Sequence, residues 1–354
     1  MSKSKKMKAS KFILAGMAIM LSAIVAKPCS RIVFRGDSTD IVMVGRTLDW
    51  RTPIPTNLYV YPAGIAKESM PVGNRFQWVS KYGSVLAVSY GGGVTEGMNE
   101  KGLVMNGLFC KLSKYRTGDP ETSPVPVMSL AVLVSYFLDN FATVDEVQEW
   151  LNNNEFAISG QTFDGGTVSL LHWAITDKTG KTLIMEYQNA QLNVYVSKDY
   201  QVMTNDPCWP YMNAINDYWE QVGGQNFLPG GVRSPERFAR ASYFIHHVPT
   251  TGVSEDIAQA ELNSVIDGVS VAFGYEVPGQ PNLSSSQWRS IADINRLRYN
   301  FKFADEMGMF YIDLNDLMLT PGSPVLMLDT THRADFFGNV NNRLVKTKPF
   351  TPMY

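Results

Sequence analysis

"CSRIVFRGDSTDIVMVGRTLDW", residues 29–50, decides how the rest of the chain is read. Two β-rich runs, SRIVFRG (30–36) and DIVMVGRTLDW (40–50), flank the turn-like Asp37-Ser38-Thr39 and predict a hairpin. Further strand-like runs follow at 84–90, 102–109, 168–176, 181–188, 192–197, 298–304 and 309–315, with a Gly-containing hairpin loop, DKTGK, between 168–176 and 181–188. Helical patterns lie between them. VPVMSLAVLVSYFLDNF (125–141) is apolar enough to be buried, and Thr143 with Glu146 predicts a capping box for VDEVQEWLNN. A third helix is expected over 234–245, with Ser234 as N-cap and Pro235 at its first position, and a fourth over 254–269. Strands arrive in adjacent runs and do not alternate with helices, so the expected class is α+β with mainly antiparallel sheets.

Upstream, Lys3, Lys5, Lys6, Lys8 and Lys11 precede an apolar or small stretch from Phe12 to Ala26. That stretch is short and rich in Gly, Ala and Ser for a membrane span, and suits the core of an export signal. Residues 1–28 are therefore expected to be removed, placing the protein outside the cytoplasm in the periplasm and leaving 29–354 as one domain. Lys27 and Pro28 occupy positions where a lipoprotein signal needs small residues. Cleavage after Ala26 would leave Lys27-Pro28 for a second processing step. Losing six lysines and no acid changes the formal charge from −2 to −8. So acidic a body has no electrostatic footprint for nucleic acid or anionic membrane, and no later segment is long enough for a membrane anchor.

The common catalytic signatures are missing. There is no G-x-S-x-G elbow, and His172, His246, His247 and His332 fall in no zinc-ligand spacing, so no metal or cofactor is expected. His172, inside a strand between Leu171 and Trp173, reads as structural, and His246-His247 as a helix C-terminal pair. YGGGVTEG (90–97) lacks a phosphate-binding lysine and reads as a strand-to-turn segment. Cys110 and Cys208 either pair or remain two buried thiols.

Cys29 is different. It follows the leader and opens a strand. A residue made N-terminal by processing carries its side chain beside its own α-amine, whose ordinary pKa of about 7.7–8.0 suits a general base. A thiol and a neutral amine on one residue make a nucleophile that needs no histidine.

The motifs CSRIVF, VGRTLDW, GMNEKGLVMNGL, LLHW, MTNDP and SPERF occur in an order that resembles the choloylglycine hydrolase family of N-terminal-nucleophile hydrolases. The resemblance implies a four-layer αββα fold and cleavage of a non-peptide C–N amide bond. By the same resemblance Cys29 is the nucleophile, Asp49 holds its α-amine, and Arg46 lies near the thiol. Asn205 serves the oxyanion hole together with the backbone N–H of Phe109, and Arg237 is an active-site arginine. Arg46 and Asp49 have opposite parity on a regular strand, so both can face one site only where the strand bends or ends. Arg237 in a first helical turn stands against the helix dipole.

Where many bile salt hydrolases carry an asparagine after this Gly-Leu, the chain has Phe109 and then Cys110, which leaves substrate choice open. The expected substrate is a conjugated bile salt, gripped by apolar and aromatic surface including Trp50 and Phe109. The alternatives are penicillin V, an N-acyl homoserine lactone, or an inactive periplasmic binding protein of the same fold. The resemblance also implies a homotetramer.

Overall fold

The computed structural model describes residues 29–37, 40–163, 166–276 and 284–354. The expected leader, 1–28, lies outside the described residues, as do Ser38 and Thr39 of the expected turn.

Cys29–Arg35 and Val42–Trp50 pair antiparallel, as their sequence implies, with Cys29 opposite Leu48 and Arg31 opposite Arg46. They are the second and third strands of a seven-stranded sheet. In spatial order it runs Val202–Met203, Cys29–Arg35, Val42–Trp50, Ser285–Asp293, Arg298–Phe303, Phe310–Asp313 and Gly338–Asn339. Only its last pairing is parallel. The second sheet has nine strands: Gln191–Ser197, Thr182–Gln188, Leu171–Thr176, Val104–Phe109, Gly93–Asn99, Ser84–Ser89, Thr56–Tyr61, Val325–Leu328 and Val345–Thr347. All its pairings are antiparallel.

Three apolar cores separate four layers. Helices α1 (Leu130–Asn140) and α2 (Val144–Asn153) cover the outer face of the nine-stranded sheet, where Leu133 and Phe137 meet Leu86, Met105 and Trp173. Between the sheets lie Val33, Val44, Leu48, Val85, Val104 and Phe301. Helices α3 (Trp209–Val222), α4 (Ser234–Ile245) and α5 (Glu255–Val269) pack on the other face of the seven-stranded sheet, through Trp209, Phe238, Leu262 and Ile266 against Ile32, Phe34 and Met43. The period-two alternation of the first hairpin therefore sorts side chains between two cores: Val33 and Val44 face the other sheet, Ile32 and Met43 the helices. Every residue of Val42–Trp50 is buried.

Gly45 permits that close contact. A Cβ built there would lie 2.2 Å from Ile266 Cδ1 and 3.2 Å from Leu262 Cγ. Gly45→Ala should overpack this face and lower stability by about 1–3 kcal/mol. Denaturant unfolding measures this directly, and an unchanged or raised midpoint would refute the packing argument.

Local signals explain most helix starts. Thr143 and Glu146 form the expected capping box, and Ser254 accepts the N–H of Ile257. Two expectations need correction. The helix expected over 125–141 begins only at Leu130: Val127–Ser129 is a short parallel strand beside Ala157–Ser159, and Ser129 caps α1 through Ala131 N. Pro124 and Pro126, lacking N–H donors, suit the extended segment better than a helix interior. Ser234 is not an N-cap. It is the first helical residue, Arg233 is the cap, and the cap N–H is held by Glu236 Oε2 at 2.9 Å. The Ser234 hydroxyl instead accepts the N–H of Asn205 at 2.8 Å and bonds the Thr204 hydroxyl at 2.9 Å.

Candidate active site

Cys29 begins its strand at the mouth of a cleft, and its side chain lies on the side of the strand that faces the second sheet. Arg46 reaches the sulfur from that face, with Nη2 3.6 Å from Sγ. Its Nη1 forms a 2.9 Å ion pair with Glu96 Oε2, both side chains being buried. Glu96 also accepts from Asn106 Nδ2 at 3.0 Å and, through Oε1, from the hydroxyls of Ser290 and Tyr299. Burial alone would depress the Arg46 pKa. The Glu96 carboxylate and the Cys29 sulfur outweigh it and raise it, so the guanidinium is a fixed cation. A fixed cation at this distance stabilises negative charge on sulfur.

Asp49 approaches from the other face. It pairs with Ser286, and the neighbouring strand carries a bulge at Gln287, between Ser286 and Trp288. Such a bulge re-aims nearby groups. The opposite parity of Arg46 and Asp49 is retained: Cys29 starts its strand opposite Leu48, between them, and Sγ meets the Arg46 guanidinium on one side and donates to the Asp49 backbone carbonyl at 3.9 Å on the other. The Asp49 carboxylate accepts from Thr47 Oγ1 at 3.1 Å through Oδ2. Its Oδ1 is buried and has no hydrogen-bond partner among the described residues. Burial pushes the Asp49 pKa up to about 6, with Arg237 and the Ser286 and Thr47 hydroxyls opposing the rise.

Asn205 and Arg237 complete the surround. Asn205 Oδ1 accepts from Cys29 N at 2.7 Å and from Arg237 Nη2 at 2.6 Å, while Nδ2 donates to the Phe109 carbonyl at 2.7 Å. Arg237 Nη1 donates to Cys29 O and Ser30 Oγ, each at 2.6 Å. With Arg233 as cap, Arg237 sits past the first three helical residues, so the dipole conflict expected from the sequence is weaker than supposed. Its guanidinium serves the Cys29 strand and Asn205. Burial lowers its pKa to about 10, partly offset by Asp49 and the Cys29 sulfur.

Sequence reasoning missed the supports behind these groups. Glu96, inside YGGGVTEG, had no signal beyond a lone acid in an apolar strand. His172 is buried as expected of a structural histidine. Yet its Nε2 bonds the Thr204 carbonyl at 2.7 Å and its Nδ1 meets Glu186 Oε1 at 2.8 Å, anchoring the residue before Asn205. Cys110 and Cys208 are unjoined and buried. No group of three or more His, Cys, Asp or Glu among the described residues is arranged to hold a metal ion.

The cleft opens into about 760 Å³ of unfilled space, part of it open to solvent, with Cys29, Arg46 and Asp49 on its wall. The remaining wall is mostly apolar. Trp50 packs against Phe109 and Phe163 with ring centres 5.7 and 5.2 Å away, and Phe163 against Tyr90 at 5.5 Å. Phe109 and Trp50, the expected substrate contacts, both line it.

Residues 29–333 match the model of the linear amide C–N hydrolases, choloylglycine hydrolase family. The chain belongs to that family. It is a hydrolase of linear amide C–N bonds with the α+β fold of N-terminal-nucleophile hydrolases. Penicillin V acylase from Pectobacterium atrosepticum is 32% identical, over 98% of each chain. The bile salt hydrolase/transferase of Clostridium perfringens is 27% identical, covering 62% of this chain and 72% of the relative. Among solved structures, penicillin V acylase from Agrobacterium tumefaciens superposes with a TM-score of 0.84 at 37% identity, covering 92% of this chain and 99% of that one. A conjugated bile acid hydrolase from Clostridium perfringens shares the fold at a TM-score of 0.70 and 19% identity, covering 92% and 99%.

Proposed function

We propose that this family member hydrolyses amides with an aromatic acyl group, penicillin V being the favoured substrate, through a thioester on an N-terminal Cys29. The observation that carries the reading is the Cys29 sulfur, 3.6 Å from a buried arginine, on the wall of an apolar, aromatic-lined cleft. A flat aryl group packed on Trp50, Phe163 or Tyr90 gains about 0.5–1.5 kcal/mol beyond burial alone. The two penicillin V acylases described above support the same choice.

Removal of residues 1–28, in an exported protein, frees the α-amine of Cys29. That amine takes the thiol proton, and sulfur attacks the amide carbon. The carbonyl oxygen gains the charge and is received by the Asn205 amide and by backbone N–H at Phe109. The C–N bond breaks as the ammonium returns its proton to the leaving amine. Water, deprotonated by the same amine, then attacks the thioester and releases the acid and the thiol. Arg46 steadies the sulfur, Asp49 Oδ1 receives the α-ammonium, and Arg237 fixes Asn205 and the Cys29 carbonyl.

Conjugated bile salts are the second reading, supported by the bile salt hydrolase/transferase relative. Side-by-side kinetics on penicillin V, glycocholate and taurocholate separate the two. The expected order puts penicillin V first in kcat/KM, and a bile conjugate in first place would overturn the aromatic-acyl reading.

A pH prediction follows from Asp49. The carboxylate is needed ionised, so kcat/KM should fall as pH drops through about 6, together with protonation of the α-amine. The effect on stability has the opposite sign. A carboxyl raised from its ordinary 3.8 binds protons more readily when folded, so its contribution weakens as pH rises across that window. A kcat/KM profile flat from pH 7 down to 5 would remove Asp49 and the amine from the mechanism.

A further inference from the structure

The family match stops at residue 333, yet the cleft wall does not. The last stretch of the sequence folds back as a strap. Phe350 packs on Tyr59 and Tyr61, with ring centres 5.8 and 6.1 Å away, and its N–H donates to the Tyr61 hydroxyl at 3.0 Å. Three residues on, Met353 N donates to Gly92 O at 3.0 Å, and the Met353 carbonyl accepts from Ser129 Oγ at 3.3 Å. These attachments hold the Met353 side chain on the wall of the cavity that also contains Cys29.

The anchoring partners themselves border the cleft. Ser129 caps α1, whose first two residues, Leu130 and Ala131, line it, and Gln161, another lining residue, donates to Ser129 Oγ at 3.2 Å. Two glycines of YGGGVTEG, Gly92 and Gly93, are explained by the same strap. A Cβ on Gly92 would lie 2.8 Å from both Thr351 O and Met353 Cγ, and one on Gly93 would lie 3.3 Å from Met353 Cε. Gly91, with φ +73°, makes the turn that precedes them. Side chains at 92 would push the strap off its seat.

We infer that Met353, held by the strap at 350–353, is a specificity-determining residue that sets the length of acyl group the cleft accepts. The inference rests on the reading of this cavity as the acyl site. Methionine is unbranched and adaptable, so it closes the apolar cavity without supplying a polar contact. Cutting it back to alanine removes its thioether arm and lengthens the cavity. A tryptophan there shortens it.

The test uses the full-length protein and amides of 6-aminopenicillanic acid carrying phenoxyacetyl or progressively longer linear acyl groups. Met353→Ala should raise the ratio of kcat/KM for long over short acyl groups by about 10-fold or more, the scale on which apolar pockets discriminate methylenes. Met353→Trp should lower that ratio, and Gly92→Ala, by displacing the strap, should reproduce the alanine result. An unchanged acyl-length profile in a folded Met353→Ala protein overturns the inference, as does equal loss of activity on every acyl length. Cys29→Ala serves as the separate control. If it retains turnover, the acyl-site reading itself falls. If it is inactive while the Met353 profile stays flat, only the strap inference falls.

Discussion

Cys29→Ala is expected to abolish turnover, by a factor on the order of 10⁴ or more, because it removes the atom that forms the covalent intermediate. The loss should appear in kcat with little change in folding. The Cys29 backbone N–H and carbonyl keep their bonds to Asn205 and Arg237, and only one small buried side chain is trimmed. A thermal scan beside the kinetics separates catalysis from folding. Cys29→Ser keeps an atom able to attack but places a harder, less acidic group beside Arg46, so it should recover at most a small part of the activity. Alanine turnover within tenfold of the parent would end the nucleophile assignment.

Glu96→Ala should be the most damaging single substitution away from the sulfur. It leaves the Arg46 guanidinium buried without its carboxylate and strips the acceptor from Ser290, Tyr299 and Asn106 together. Breaking a buried pair in this way costs about 3–5 kcal/mol, so the unfolding midpoint should drop sharply. Glu96→Gln tests the electrostatic part alone. It keeps a carbonyl acceptor but removes the negative charge that holds Arg46 in place beside the sulfur. It is expected to remain folded while losing kcat, and rising salt should not restore it because the pair is dry. Unfolding and activity both unaffected by Glu96→Ala would show that the network does not hold Arg46.

The antiparallel α+β class was legible from strands arriving in adjacent runs, and the four layers from the family resemblance. The first hairpin is buried on both faces and divides its side chains between two cores, as a sheet covered on both sides requires. The Ser285–Asp293 strand was not legible, although it lies directly against Val42–Trp50. It reads as polar because Ser286 and Ser290 turn inward to the buried carboxylates of Asp49 and Glu96, so burial there follows hydrogen bonding and not hydropathy. Helix α3 was missed for the opposite reason: Tyr211, Tyr218 and Val222 are exposed and blur its apolar stripe. Within the site, Cys29 could be singled out from its place after the expected leader. Asn205 and Arg237 were visible only through resemblance, since a turn asparagine and a helix arginine carry no local mark of chemistry. Their convergence on Cys29 spans 176 and 208 residues of sequence. Met353 lay beyond any periodic pattern, and the glycines that receive it looked like an ordinary turn.

The central claim is that sulfur and free amine belong to one terminal residue, and intact mass spectrometry of the purified, active enzyme tests it most directly. The account predicts a mass for a chain beginning at Cys29, and a thioester adduct of the acyl mass on that first residue when turnover is quenched in acid. An active species that still carries Pro28 would contradict it.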